Sequence, residues 1–161
     1  MERLWAPWRM KYIERVEDDE GCFLCEAARA AEPSAENLLV WKDELSLCIM
    51  NRFPYNNGHL LVAPLRHRGG LDALSAEERA GLMEGLLKTR RLLSEVMSPE
   101  GFNVGLNLGR ASGAGLAEHL HFHIVPRWSG DTNYRPVVAD TKVIPEALED
   151  LHAKLRDALE G

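Results

Sequence analysis

Histidine and large apolar residues alternate strictly over His119-Leu120-His121-Phe122-His123-Ile124, the period of a half-buried β-strand. Leu120, Phe122 and Ile124 therefore predict a core face, and the three histidines a row along the opposite surface or cleft. Pro126 cannot donate to a ladder and predicts where regular pairing stops. Further strands are predicted over Leu38–Trp41 and Leu45–Met50, a hairpin turning at Lys42-Asp43-Glu44. Two more follow, over His59–Pro64 after the turn Pro54-Tyr55-Asn56-Asn57-Gly58, and over Asn103–Leu108.

Elsewhere the apolar period lengthens to that of helices. Ser75-Ala76-Glu77-Glu78 is a capping box opening a helix to about Met97, with Leu82, Met83, Leu86, Leu93 and Val96 as its apolar stripe. A short Ala/Glu-rich helix is predicted over Glu26–Ala31, ending near Pro33. Another starts at Pro145 and carries Leu148, Leu151, Leu155 and Leu159 on one face, with His152 beside them as a surface residue. Residues 1–20 form an aromatic-rich arm, Leu4-Trp5-Ala6-Pro7-Trp8-Arg9 with Met10, Tyr12 and Ile13, before the acidic run Glu17-Asp18-Asp19-Glu20. The arm reads as a plug for its own domain or a dimer mate.

Length and charge narrow the functional classes. At 161 residues and 45% hydrophobic content the chain predicts a single globular domain, 1–161. A net charge of −6 argues against a sequence-independent nucleic-acid binder, so an anionic substrate must be met by local cations or backbone dipoles. Three cysteines, two of them close together, do not make a disulfide framework and predict a reducing, cytoplasmic setting. No apolar segment follows Met1 as in a secretory leader, and no apolar run is long enough for a bilayer, so no membrane association is expected.

Candidate chemistry centres on the histidines and the cysteine pair. Imidazoles two apart on a strand can share an ion, but at a rise of about 3.3 Å per residue the first and third start about 13 Å apart, against Zn–N bonds of about 2 Å. At least one imidazole is therefore left for other work. Cys22-Phe23-Leu24-Cys25 fits zinc or redox chemistry; an acidic loop, rather than a strand of a βαβ unit, precedes it, which disfavours the redox reading. Zinc needs two more ligands, and His59, His67, His119 and its neighbours are candidates that spacing does not separate. Taken alone, His59 reads as a hydrogen-bonded structural residue and Cys48 as a small core hydrophobe. The loop Gly109-Arg110-Ala111-Ser112-Gly113-Ala114-Gly115 suits a phosphate cradle and an ordinary connector equally.

The run from His119 to Val125 resembles the His-φ-His-φ-His-φ-φ signature of the histidine triad (HIT) superfamily, which acts at the α-phosphate of nucleotides. The order of Cys-x-x-Cys, hairpin, Gly58-His59-Leu60-Leu61-Val62 with Pro64 and His67, capped helix, Asn107, Gly-rich loop and triad follows the family over most of the chain. Leu4-Trp5-Ala6-Pro7-Trp8-Arg9 and the run from Leu116 to Trp128 are similar to the branch of diadenosine tetraphosphate (Ap4A) phosphorylases and related hydrolases.

That resemblance implies an α+β fold, an antiparallel sheet of about five strands flanked by helices, and a homodimer. It implies that His121 is the nucleophile, forming a nucleotidyl-imidazole intermediate, with His123 and His59 supporting it through hydrogen bonding and protonation. It assigns ribose or phosphate contacts to Asn107, Gly113, Ala114 and Gly115, and places Arg127 or Trp128 near the polyphosphate or the dimer mate. Its zinc-bearing members imply a structural zinc on Cys22, Cys25, His67 and His119. The implied substrate is a dinucleoside polyphosphate or nucleotide conjugate. Gly115 stands where many members have Gln and the phosphorylase-like branch has Ser, which leaves hydrolysis at least as open as phosphorolysis. Two competing readings are a hydrolase whose catalytic ion is held by two triad histidines, and a nucleotide-binding module without turnover.

Overall fold

The alternating segments form β1 (Leu39–Lys42), β2 (Ser46–Met50), β3 (Leu60–Pro64), β4 (Gly101–Leu106) and β5 (Phe122–Arg127), in a computed structural model that describes residues 21–131 and 146–161. Among the described residues they make one antiparallel sheet in the order β1-β2-β3-β5-β4. The helices are α1 (Phe23–Arg29), α2 (Ala76–Met97) and α3 (Leu148–Glu160). The predicted arm over 1–20 and the helix start at Pro145 lie outside the described residues.

Every residue of β2 and β3 is buried, so the centre of the sheet is covered on both faces. Helix α2 packs on β2, β3 and β5, and α3 packs on α2 and β1. Leu47, Leu60, Val62, Leu82, Leu93, Ile124, Leu151 and Leu155 make the centre of the core, and Cys48 lies among them as a buried hydrophobe. The capping box of α2 forms as its sequence predicts: Glu78 N–H donates to Ser75 Oγ at 3.1 Å, and Ser75 N–H to Glu78 Oε2 at 2.7 Å. Met83, expected on the apolar stripe, is instead 53% exposed, because Leu82 and Leu86 already occupy the arc that faces the sheet.

Three further expectations are corrected. Helix α1 starts three residues early because Cys22 caps it, its sulfur accepting from Cys25 N–H at 3.4 Å. His152 is not a surface residue but is 5% exposed, and its Nε2–H donates to the Leu39 carbonyl at 2.7 Å. β1 is an edge strand with an irregular register between Leu39 and Trp41, so its outer carbonyls need partners. His152 provides one and Arg156, which donates to the Val40 carbonyl, provides another. Pro126 lies within β5: pairing to β3 ends at Ile124, whereas pairing to β4 runs on to Arg127.

Gly85, in the middle of α2, makes possible the close approach of this helix to the sheet. A Cβ there would lie 2.9 Å from Trp41 Cη2, 3.0 Å from Ser46 Oγ and 3.2 Å from Val62 Cγ1. In an exposed helix, glycine to alanine stabilises by about 1 kcal/mol. Here the overpacking reverses the sign, and Gly85→Ala is expected to lower unfolding free energy by about 1–3 kcal/mol in urea titrations; a gain in stability would contradict this packing.

Candidate active site and metal centre

β5 carries His123 at the middle of the sheet, opposite Leu61 on β3 and Gly105 on β4. The ladder begins only at Phe122, so His119, Leu120 and His121 are not part of a strand as the alternation predicted. Side-chain and loop bonds hold this approach segment instead. Leu120 N–H donates to the Arg68 carbonyl at 2.6 Å, and His119 Nε2–H donates to the Pro64 carbonyl at 2.9 Å. The three imidazoles do not share one open face: His119 is 0% exposed, His121 is 7% exposed and His123 is half-buried.

The hydrogen-bond partners fix the tautomer of each ring. His121 Nδ1 faces the His119 carbonyl at 2.8 Å, and a carbonyl only accepts, so the proton is on Nδ1 and the lone pair on Nε2. Tyr55 N–H donates to His59 Nδ1 at 3.0 Å, which puts the His59 proton on Nε2. That Nε2–H donates to His123 Nδ1 at 2.9 Å and leaves His123 with its proton on Nε2. His121 and His123, 5.0 Å apart between ring centroids, are thus of opposite kind: one offers a lone pair on Nε2, the other a proton. Burial pushes the pKa of His121 down, and burial followed by the neighbouring His121 takes His123 to about 4, so both rings are neutral near pH 7.

Two residues that carry this arrangement were not singled out from the sequence. The Asn51 amide nitrogen lies 3.3 Å from His59 Nδ1, and its oxygen accepts from Phe53 N–H at 2.9 Å. The Tyr55 ring lies 4.5 Å from His59 and stacks over His123 at 5.8 Å with a 17° interplanar angle. The only sequence signal for Tyr55 was membership of the turn Pro54–Gly58, and Asn51, just after the predicted strand Leu45–Met50, had none.

The expected substrate residues fall in two places. Asn107 follows β4 directly, and Gly113, at φ 82°, closes the short 3-10 turn Arg110–Ser112 ahead of half-buried Ala114 and Gly115. Arg127 and Trp128 lie at the other end of β5, about 20 Å along the chain from His121 at strand spacing. The Arg127 guanidinium is engaged there. Its Nε and Nη2 donate to the two Asp131 oxygens at 2.6 and 2.7 Å, and its Nη1 donates to Asn103 Oδ1 at 2.6 Å. Trp128 N–H donates to the same carboxylate at 3.1 Å. The geometry therefore does not bring Arg127 and Trp128 to the imidazole cluster.

Beside the triad, four donor atoms converge: Cys22 Sγ, Cys25 Sγ, His67 Nδ1 and His119 Nδ1, all within 4.8 Å of one another. The His119 nitrogen lies 3.2 Å from Cys22 Sγ and 3.5 Å from Cys25 Sγ, and His67 Nδ1 lies 3.3 Å from Cys25 Sγ. Tetrahedral bonds of about 2.0–2.3 Å put neighbouring ligand atoms roughly 3.3–3.8 Å apart, so the set suits one tetrahedral ion. The second nitrogen of His119 already donates to a carbonyl, the outer bond that orients a ligating imidazole. His59, the other histidine left open by spacing, belongs to the His123 pair instead.

Residues 32–130 match the HIT domain family. The chain is 41% identical over 160 residues to the AP-4-A phosphorylase of Mycobacterium tuberculosis, covering 93% of this chain and 80% of that one. It is 29% identical over 106 residues to an adenosine 5'-monophosphoramidase of Schizosaccharomyces pombe, covering 66% and 74%. Among solved structures it resembles a Zn-bound histidine triad family protein from Mycobacterium smegmatis, with 27% identity, a TM-score of 0.68 and coverage of 87% of this chain and 94% of that chain. Matched by the family model over more than half its length and by a relative over nearly all of it, the chain belongs to the HIT domain family.

Proposed function

We propose that this enzyme cleaves a dinucleoside polyphosphate of the Ap4A type, or a nucleotide conjugate, at the α-phosphorus through a nucleotidyl-histidine intermediate at His121. The observation that carries this reading is the opposite tautomers of His121 and His123. The His121 Nε2 lone pair forms the N–P bond as the bond from the α-phosphorus to the bridging oxygen breaks. The leaving phosphate oxygen accepts a hydrogen bond from His123 Nε2–H and departs as the phosphate anion, so no proton needs to be transferred and His123 stays neutral. The positive charge that develops on the His121 ring is held by its Nδ1–H bond to the His119 carbonyl. His59 Nε2–H, aimed at His123 Nδ1, keeps that donor in the productive tautomer. Water or phosphate then attacks the α-phosphorus, and His121 leaves.

Asn107 and the Gly113-Ala114-Gly115 backbone serve the ribose and phosphates, and Arg127 and Trp128 are left for the dimer mate. Edge strand β4, with Val104 51% exposed, supports a homodimer. Phosphorolysis is supported by the name of the mycobacterial relative, and hydrolysis by the missing side chain at Gly115. Cys22, Cys25, His67 and His119 would hold a structural zinc: four protein ligands close the shell, so the ion ties loops together instead of activating water. Burial pushes the Cys22 thiol up, so zinc loading should release protons and weaken in acid. Among the described residues no helix is long and apolar enough to cross a membrane. A reducing cytoplasm would keep the thiols available to metal.

Three outcomes are expected. His121→Asn should lower turnover of Ap4A by at least about 10³-fold and abolish the nucleotidyl mass gain of the quenched native protein; normal turnover by the variant would reject the nucleophile. Metal analysis should find about one zinc per chain, lost in Cys22→Ser; a native protein purified without zinc under non-chelating conditions would reject the structural site. The third follows from neutral His123. Its folded pKa of about 4 lies below the usual 6.5, so the unfolded chain binds the extra proton as pH falls through this window. Stability should therefore be fully present above about pH 6.5 and decline towards pH 4, with a shallower decline in His123→Asn; equal slopes in urea titrations would contradict the burial argument.

A further inference from the structure

At the β1 edge of the sheet, residues of β1, α2, α3 and the segment after α1 enclose a cavity of about 370 Å³. Strand register separates it from the triad. His123 shares a face of the sheet with Leu61 and Ile49, whereas Trp41, which lines the cavity, shares the other face with Cys48 and Val62, where Gly85 of α2 lies. Three strand spacings, about 14 Å, also part β1 from β5. We propose that this cavity is a binding site for a small phosphate monoester, held by the Trp41 indole N–H and by Lys42 and Lys88.

Two features of the walls favour an anion. Trp41 is 3% exposed, and its Nε1–H is one of two buried side-chain polar atoms without a hydrogen-bond partner among the described residues. Buried donors are as a rule paired, so an acceptor belongs beside this ring. Its nearest neighbours do not supply one: the Cη2 corner faces Gly85, and the Lys88 ammonium lies 4.3 Å over the ring. The second feature is charge. Lys42, Lys88 and Arg156 line the cavity against a single carboxylate, Glu32, in a chain whose net charge is −6. Arg156 is committed, its Nη1 donating to the Val40 carbonyl at 2.9 Å and its Nη2 to Glu160 Oε1 at 2.6 Å. Lys42 donates to the Ala28 and Ala30 carbonyls at 3.0 and 2.8 Å, which leaves it one N–H. Neither lysine has a carboxylate partner among the described residues. Two uncompensated ammonium groups match the double charge of a phosphate monoester, whose second pKa of about 6 leaves it largely dianionic at pH 7. Pro33, Leu39 and Leu159 give the rest of the cavity apolar walls, and a cavity of this size holds a small organic molecule, so the ester carries a small, largely apolar body.

The test uses the full chain labelled with ¹⁵N-tryptophan, the Trp41 indole signal being assigned by its loss in Trp41→Phe. Where that variant fails to fold, Lys88→Gln, an exposed change over the same ring, identifies the signal by its shift. Phenyl phosphate is the probe, titrated beside inorganic phosphate and benzoate at equal ionic strength. It should move the Trp41 Nε1–H resonance downfield along a saturating curve, with an affinity at least about tenfold above either control, because inorganic phosphate lacks the apolar body and benzoate half the charge. Lys88→Gln should weaken binding about tenfold, the scale of one charge-assisted hydrogen bond. His121→Asn should bind the probe as the native chain does, since the two sites lie on opposite faces of the sheet. A Trp41 signal that no probe moves, or a response lost in His121→Asn, would overturn the site. Equal binding of benzoate would overturn the phosphate assignment, equal binding of inorganic phosphate the ester, and unchanged affinity in Lys88→Gln the role of the lysines.

Discussion

One hydrogen bond, from His121 Nδ1–H to the carbonyl of His119, sets which nitrogen of the proposed nucleophile is available. An imidazole exposed to water samples both tautomers, and only one of them puts the lone pair on Nε2. Fixing it costs little energy and requires an acceptor that cannot donate, which a backbone carbonyl satisfies. The second relay, from Tyr55 N–H through His59 to His123, applies the same rule in the opposite sense, starting from a backbone donor that cannot accept. The chemical difference between two identical side chains two residues apart is thus set by main-chain groups. The sheet keeps these rings close, and burial keeps them neutral.

Much of the fold was legible in the sequence because it depends on local period and capping. The hairpin of β1 and β2, the strand after Gly58-His59 and the capping box of α2 follow from residues within a few positions of one another. Failures came where a partner distant in sequence decided the outcome. His152 looked like a surface residue because helical periodicity sees only its own helix, whereas the Leu39 carbonyl that binds it is 113 positions away. The alternation over His119–His123 suggested one continuous strand, but His119 is drawn out of that pattern by contacts with Pro64 and the cysteine pair.

The site was legible to a similar degree and for related reasons. The histidines and cysteines stand out by rarity and spacing, and the resemblance to a known family sorted them into two sets that the geometry keeps apart. Asn51 and Tyr55 escaped notice because their contribution includes an amide proton and a ring face, and neither has a residue pattern of its own. Arg127 drew its expected polyphosphate or dimer contact from the resemblance alone, and nothing in the sequence signalled that the Asp131 carboxylate four residues on would hold its guanidinium.

The central claim is that His121 reacts through Nε2, and it can be read directly from the intermediate. The native chain would be mixed with Ap4A, quenched in alkali within milliseconds and digested, and the nucleotidylated peptide examined by ³¹P and ¹⁵N NMR for its site and linkage isomer. Attachment at Nε2 of His121 is the expected result. Attachment at Nδ1 of that ring, or at His123 or His59, would contradict the tautomer assignment on which the proposed mechanism stands.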